Sequence, residues 1–176
     1  MTTGTGERRS RKSRTKFDFV FAAISPRHGL VHYTTHTYAE TKSGVTAKMF
    51  TSFLQELCAL SLIQTRSFFL VMDNAGIHKA ELINDLLDSL EASTPPAHAF
   101  RHFLLFLPPY SCRLNPIENV FGIWKRDALK TRMDMKQALI DQIKLGAARI
   151  TSALCASCYA HSLAHFPAIA EMKDLI

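Results

Sequence analysis

The feature that most constrains the fold is a pair of short, continuously apolar runs, each followed by residues that stop regular structure. The run Phe68–Met72 is followed by Asp73, and residues 103–107 are followed by a Pro-Pro pair. A run of about five apolar residues without alternation is typical of a strand that is covered on both faces. We therefore predict two buried strands in the interior of a sheet.

Two further strands are predicted upstream of these runs. The side chains of residues 17, 19 and 21 point one way and those of residues 18, 20 and 22 point the other, which is the period of a strand. Turn residues follow at positions 25–29, and residues 30–38 have the composition of a second strand. This segment predicts a β-hairpin.

Elsewhere the apolar period is helical. Stripes follow Thr46, run through residues 82–90 and continue from Ile117 to Ala128, and residues after Thr131 look helical with an interruption at Gly146. The predicted order is strand, strand, helix, strand, helix, strand, helix, followed by a helical extension over residues 131–176. Alternating strands and helices of this kind define an α/β fold.

Composition favours one intracellular domain. The chain has 176 residues, of which 47% are hydrophobic, so it can bury one sizeable core. It has no apolar stretch long enough to span a bilayer and no signal-peptide hydrophobic region, so we expect a protein that is neither membrane-bound nor secreted. Its four cysteines are expected to be free thiols.

The charge is concentrated near the N-terminus. The net charge is +6, and a basic run lies in a Gly, Ser and Thr-rich opening without apolar periodicity, so residues 1–16 are predicted to form a disordered arm. Its basic residues are Arg8, Arg9, Arg11, Lys12, Arg14 and Lys16. They either have a function, as DNA-phosphate contacts or as a nuclear-import signal, or form a solvated leader.

Two carboxylates stand at informative positions. Asp73 follows a predicted buried strand, where ligands of open α/β sheets tend to bind. Glu118 stands at the start of a helix behind Asn115-Pro116. Each has a structural alternative, since Asp73 could serve a turn or cap and Glu118 is at the N3 position of a capping box. Spacing alone leaves both alternatives open.

The residues around the two carboxylates resemble a known family. The first block is Asp73-Asn-Ala, followed by His78-Lys79. The second block is Leu-Pro-Pro-Tyr-Ser, which begins at Leu107, and it continues with Leu-Asn-Pro-Ile-Glu-Asn, which ends at Asn119. A Trp-Lys pair follows at Trp124. This wording closely resembles the catalytic domain of Tc1/mariner and IS630-type transposases, which are DDE superfamily endonucleases. The resemblance covers residues 17–130 and implies an RNase H-like α/β core, in which a mixed sheet is flanked by helices.

The resemblance also implies a chemistry. The family's second catalytic aspartate falls on Asp73 and its third carboxylate falls on Glu118. Hard oxygen ligands suit Mg²⁺ or Mn²⁺, and two such ions can activate the attacking group and stabilise the leaving oxygen. The implied activity is hydrolysis of a DNA phosphodiester followed by strand transfer, the two steps of DNA transposition and integration.

The chain departs from the family's pattern before Asp73. The family has a first aspartate on a first strand, and Asp18 is the only aspartate upstream of Asp73. We keep Asp18 as the candidate third metal ligand, although residues 17–26 resemble the family's following strand, whose leading residues have no catalytic role. We therefore expect an N-terminal truncation that removes the first strand and the helix-turn-helix region. The alternatives are a non-catalytic DNA-binding remnant and a poorly folded, pseudogene-like fragment.

The remaining expectations concern partners. His78, Lys125 and Arg126 are candidate DNA contacts, although each is equally explained as a structural or solvated residue. A homo-oligomer is compatible with the sequence. The location implied by a DNA substrate is the nucleus in a eukaryote, or the cytoplasm and nucleoid in a bacterium.

Overall fold

The computed structural model describes residues 19–36, 44–64, 67–76, 80–93, 102–130 and 136–167. Within these ranges the strands are β1 (Phe19–Ser25), β2 (Gly29–His36), β3 (Phe68–Met72) and β4 (His102–Phe106). The helices are α1 (Ala47–Cys58), α2 (Ser61–Gln64), α3 (Ala80–Ser93), α4 (Pro116–Lys130), α5 (Lys136–Ala147) and α6 (Ser152–Leu163). A 3-10 turn (Cys112–Leu114) precedes α4. The order matches the sequence prediction, with the short α2 added.

The described strands form two sheets. Strands β1 and β2 are an antiparallel hairpin whose register changes between Ala23 and Ile24, and β3 pairs in parallel with β4 from Phe68 opposite His102 to Met72 opposite Phe106. Small sheets flanked by helices make the mixed α/β arrangement expected of an RNase H-like fold. The predicted fold class is confirmed.

The hairpin lies between two layers of helices because its side chains alternate in period two. Phe21, Ala23 and Val31 pack on a core formed by α1, β3 and α3. Val20, Ala22, Ile24, Leu30 and Tyr33 pack on a second core formed by α4, α5, α6 and the residues that join the last two helices. The predicted alternation is therefore confirmed for residues 20–22.

The segment between α5 and α6 is fixed to the hairpin by backbone contacts. The Leu30 amide donates to the Ile150 carbonyl at 3.2 Å. Gly29 has a φ of +74°, and a Cβ at this position would lie 2.8 Å from the same Ile150 oxygen. Only glycine combines this backbone conformation with so close an approach.

The expectation that β3 and β4 are covered on both faces is wrong for the described residues. Leu70 and Met72 pack on the core of α1 and α3, whereas Phe69 is 69% exposed and Val71 is 44% exposed. Phe103 and Leu105 of β4 are exposed on the same face, and the Phe69 and Phe103 rings stack with centroids 5.1 Å apart. An apolar run indicates that both faces of a strand are suited to burial. It does not show whether another helix or strand packs on each face.

Candidate active site

Asp73 follows directly on the last residue of β3. Its side chain is half-buried and its Oδ1 atom is shielded from solvent. The next helix, α3, begins at Ala80, so Asp73 is too far upstream to be its N-cap. Of the two structural alternatives for this carboxylate, the cap is therefore excluded and the turn remains.

Glu118 lies in the first turn of α4, and its side chain is exposed. The helix is capped by Asn115, whose Oδ1 accepts a hydrogen bond from the Ile117 amide at 3.4 Å. In a capping box the Glu118 carboxylate would accept from the Asn115 amide. That amide instead donates to the Cys112 carbonyl at 3.0 Å, so the reciprocal half of the box is absent. The carboxylate of Glu118 is left available to a ligand.

Asp73 and Glu118 line the same cleft, which has a volume of about 400 Å³. Most of its wall is apolar and comes from β1, β3, α1 and α6, while Asp73, Asn115, Glu118 and Ser162 contribute polar groups. The two carboxylates are 45 positions apart in the sequence, and the fold brings them to one cavity.

A hydrogen bond between helices supports the Glu118 end of the cleft. The Asn119 amide group donates to Ser162 Oγ at 3.3 Å, and Ser162 is only 1% exposed. This contact joins the first turn of α4 to α6. Sequence reasoning missed Asn115 and Ser162 as cleft residues, since a cap residue and a serine in an apolar helix give no signal of a shared cavity.

The donor set fits a hard divalent cation in part. Carboxylate oxygens are the ligands that Mg²⁺ and Mn²⁺ prefer. In the parts of the chain that the structure describes, no group of three or more His, Cys, Asp or Glu side chains is placed to hold a metal ion. Two carboxylates on one cleft are therefore what the described residues offer, and Asp18 lies outside them.

The structure describes only some of the predicted DNA contacts. Lys125 and Arg126 are exposed on α4. Lys125 is seven residues after Glu118, so the side chains of Glu118 and Lys125 leave the same side of the helix about 10 Å apart. His78 and the six basic residues of the N-terminal arm lie outside the described residues.

One backbone conformation in the loop before α4 was not predicted from the sequence. Tyr110, in the loop before α4, is fully exposed and has a left-handed φ of 62°. Such a backbone conformation costs a non-glycine residue about 1 kcal/mol or more. The Pro-Pro-Tyr wording marks a turn but does not indicate which residue takes this conformation.

Comparison with known proteins identifies a family for the chain. The family model described as DDE superfamily endonuclease matches residues 3–140, which is most of the chain. The chain therefore belongs to the DDE superfamily endonuclease family. No curated protein matches the sequence. No helix in the described ranges is long and apolar enough to cross a membrane.

Proposed function

We propose that this protein is the catalytic domain of a Tc1/mariner or IS630-type transposase, a metal-dependent endonuclease and strand transferase that acts on DNA phosphodiesters. The observation that carries the proposal is that Asp73 and Glu118 line one cleft. Family membership supplies the reaction class, since DDE endonucleases act on DNA.

In this proposal the two carboxylates have complementary roles. Asp73 is half-buried at the end of a strand and provides a rigid oxygen ligand, while Glu118 reaches the cleft from the solvent side. A bound Mg²⁺ or Mn²⁺ pair would supply charge stabilisation and an activated nucleophile. The apolar walls formed by β1 and α6 limit water around the half-buried Asp73, which strengthens its interaction with cations.

The basic residues are assigned to DNA binding. Lys125 and Arg126 project from the helix that carries Glu118, so they would contact phosphates beside the cleavage site. The arm residues Arg8 to Lys16 add sequence-independent attraction to the polyanion. Asp18 is retained as the candidate third ligand, and assembly into a homo-oligomer on DNA is part of the same proposal.

A second function is favoured by one observation. Because the described residues hold no group of three potential metal ligands, the domain could bind DNA without cutting it. A non-catalytic domain predicts DNA binding that is sensitive to salt and unaffected by Asp73→Ala or Glu118→Ala. The two functions therefore differ in what the carboxylates do.

A nicking assay separates these functions. Supercoiled plasmid is incubated with the protein and Mn²⁺, and the rate of open-circle formation is compared for the wild type, Asp73→Asn, Glu118→Gln and Asp18→Asn. Asp85→Asn, an exposed carboxylate on α3, is the matched control. We expect loss of roughly a hundredfold or more in the first two variants and none in the control, as for removal of essential catalytic groups. Equal rates in all variants would refute the catalytic proposal.

A further inference from the structure

Tyr110 presents its whole side chain to solvent in the loop before α4. It is 103% exposed, whereas the exposed Phe69 and Phe103 at least stack on each other. A packed aromatic ring is among the largest single contributors to a hydrophobic core, and a fully solvated ring contributes nothing to it. The Tyr110 ring therefore has both of its faces available to a partner outside the fold.

The backbone of Tyr110 is poorly suited to a tyrosine. Its φ of 62° lies in the left-handed region, which glycine adopts freely and asparagine tolerates, whereas a bulky side chain is strained there. Strain of this kind is concentrated at binding and catalytic sites. Neither the backbone conformation nor the core accounts for a tyrosine at this position, so we look for its role in what the ring contacts.

The loop holds Tyr110 in a defined position. The two preceding residues, Pro108 and Pro109, have fixed φ angles. On the other side of Tyr110, the Ser111 amide donates to the Pro108 carbonyl at 3.3 Å and the Ser111 hydroxyl donates to the Pro109 carbonyl at 3.4 Å. A side chain presented by a rigid loop loses little conformational entropy when it binds a partner.

Both ends of this loop line the cleft that contains the two carboxylates. Leu107, Leu114 and Asn115 contribute to its wall together with Glu118. Tyr110 is three residues after Leu107, so its Cα lies at most about 11 Å from that wall residue. This is about three steps of 3.4 Å along one strand of duplex DNA. A DNA strand held in the cleft would therefore have its neighbouring nucleotides within reach of Tyr110.

The charge of the loop suits a nucleic acid. Arg113, exposed in the 3-10 turn, is the only charged residue between positions 107 and 117. An exposed aromatic ring next to a cation is the combination with which proteins bind single strands, since the ring stacks on a base and the cation contacts the backbone. In a paired duplex the neighbouring base pairs cover both faces of each base, so the ring requires an unpaired or terminal base.

We propose that Tyr110 stacks on an unpaired DNA base next to the phosphodiester bound in the cleft, and that Arg113 contacts the adjoining phosphate. This inference rests on the proposed endonuclease function, because cleavage creates strand ends at the cleft. It adds a contact that selects frayed or cleaved ends over intact duplex.

The test compares two DNA duplexes that carry a short single-stranded 3′ extension, made either of normal nucleotides or of abasic ones with the same phosphates. Binding is measured by fluorescence anisotropy without divalent metal. Tyr110→Phe keeps the ring, while Tyr110→Asn removes it and accepts the left-handed backbone. The wild type and Tyr110→Phe should prefer the normal extension by roughly 5- to 100-fold, as expected for stacking on one base. Tyr110→Asn should bind both DNAs alike.

Two further measurements separate stacking from charge and from folding. A 5-iodouracil base in the extension should crosslink under light to residue 110 in the wild type and in Tyr110→Phe. Arg113→Ala should weaken binding of both DNAs by the same factor, because the abasic extension keeps its phosphates. Circular dichroism checks that each variant is folded.

The outcomes distinguish this inference from the proposed function. Equal binding of the two DNAs by a wild type that nicks plasmid would overturn the stacking role alone, as would a preference that persists in Tyr110→Asn. A preference that depends on Tyr110 in a protein that does not nick plasmid would support stacking and refute the catalytic proposal. A wild type that binds neither DNA would overturn both, and the exposed ring would then belong to a protein interface.

Discussion

The Trp124 indole lies directly against Gly146, so α4 and α5 approach each other at a point where only glycine fits. A Cβ on Gly146 would lie 2.5 Å from Trp124 Nε1, and the same nitrogen donates to the Ile143 carbonyl at 2.9 Å. The helix carrying Glu118 is thereby fixed to the C-terminal helices. The contact connects packing in the second core to the position of the candidate site.

This contact predicts opposite effects for two glycine substitutions. Gly146→Ala should lower the free energy of unfolding by about 1 to 3 kcal/mol, because the methyl group overlaps a buried ring. Gly122→Ala, also in a helix but with open space around its Cβ, should raise it by about 0.5 to 1 kcal/mol. Urea denaturation of both variants measures the difference. Equal effects of the same sign would show that the Trp124 contact is absent in solution.

The cysteines predict a pattern of chemical reactivity. All four are free thiols, with Cys112 exposed and the other three buried. Burial raises the pKa of Cys58 to about 11, and burial also raises the pKa of Cys155 and Cys158. A thiol of pKa about 11 is about one part in a thousand thiolate at pH 8, and the thiolate is the reactive form.

Maleimide labelling followed by mass spectrometry should therefore modify Cys112 first. The three buried thiols should react only in urea or above about pH 9, where the unfolded chain loses its thiol protons and folding loses stability. Cys112→Ser supplies the control that leaves only the buried set. Rapid labelling of Cys58 at pH 8 in the native protein would contradict the packing of α1.

The DNA-binding surface predicts a salt-dependent change. Lys125→Ala should weaken binding to duplex DNA uniformly across sequences and reduce the slope of log K against log salt by about 1, since one phosphate contact is lost. Lys48→Ala is a matched control because Lys48 is also exposed but lies on α1, against the opposite core. Anisotropy titrations between low and moderate salt measure both slopes. Identical slopes for the two variants would remove Lys125 from the interface.

Sequence patterns predicted the elements well because each has a local physical cause. The alternation around Phe21 and the stripe from Phe50 to Leu57 are periodic, and the structure buries these residues as expected. The run Phe68–Met72 predicted a strand correctly but its burial incorrectly, because hydrophobicity does not reveal which neighbour is present. Phe69 and Val71 were expected to be buried, but both side chains are exposed.

The site was predictable only through a motif and not through spacing. The capping alternative for Glu118 depended on the Asn115 amide, and no sequence pattern shows that this amide donates to Cys112. Asp73 and Glu118 line one cleft because α4 packs on α6 and β3 lies near the hairpin, which is tertiary information. Their joint role in metal binding remains a prediction.

The most direct test of the central claim is a titration of Mn²⁺ followed by electron paramagnetic resonance, which counts free and bound ions without requiring activity. We expect saturable binding that is weakened at least about tenfold in Asp73→Asn and in Glu118→Gln, with the double variant little worse than either, since both residues ligate the same metal centre. The exposed-carboxylate control Glu81→Gln should bind as the wild type does. Binding that is unchanged in both single variants would contradict the claim that Asp73 and Glu118 form one metal site.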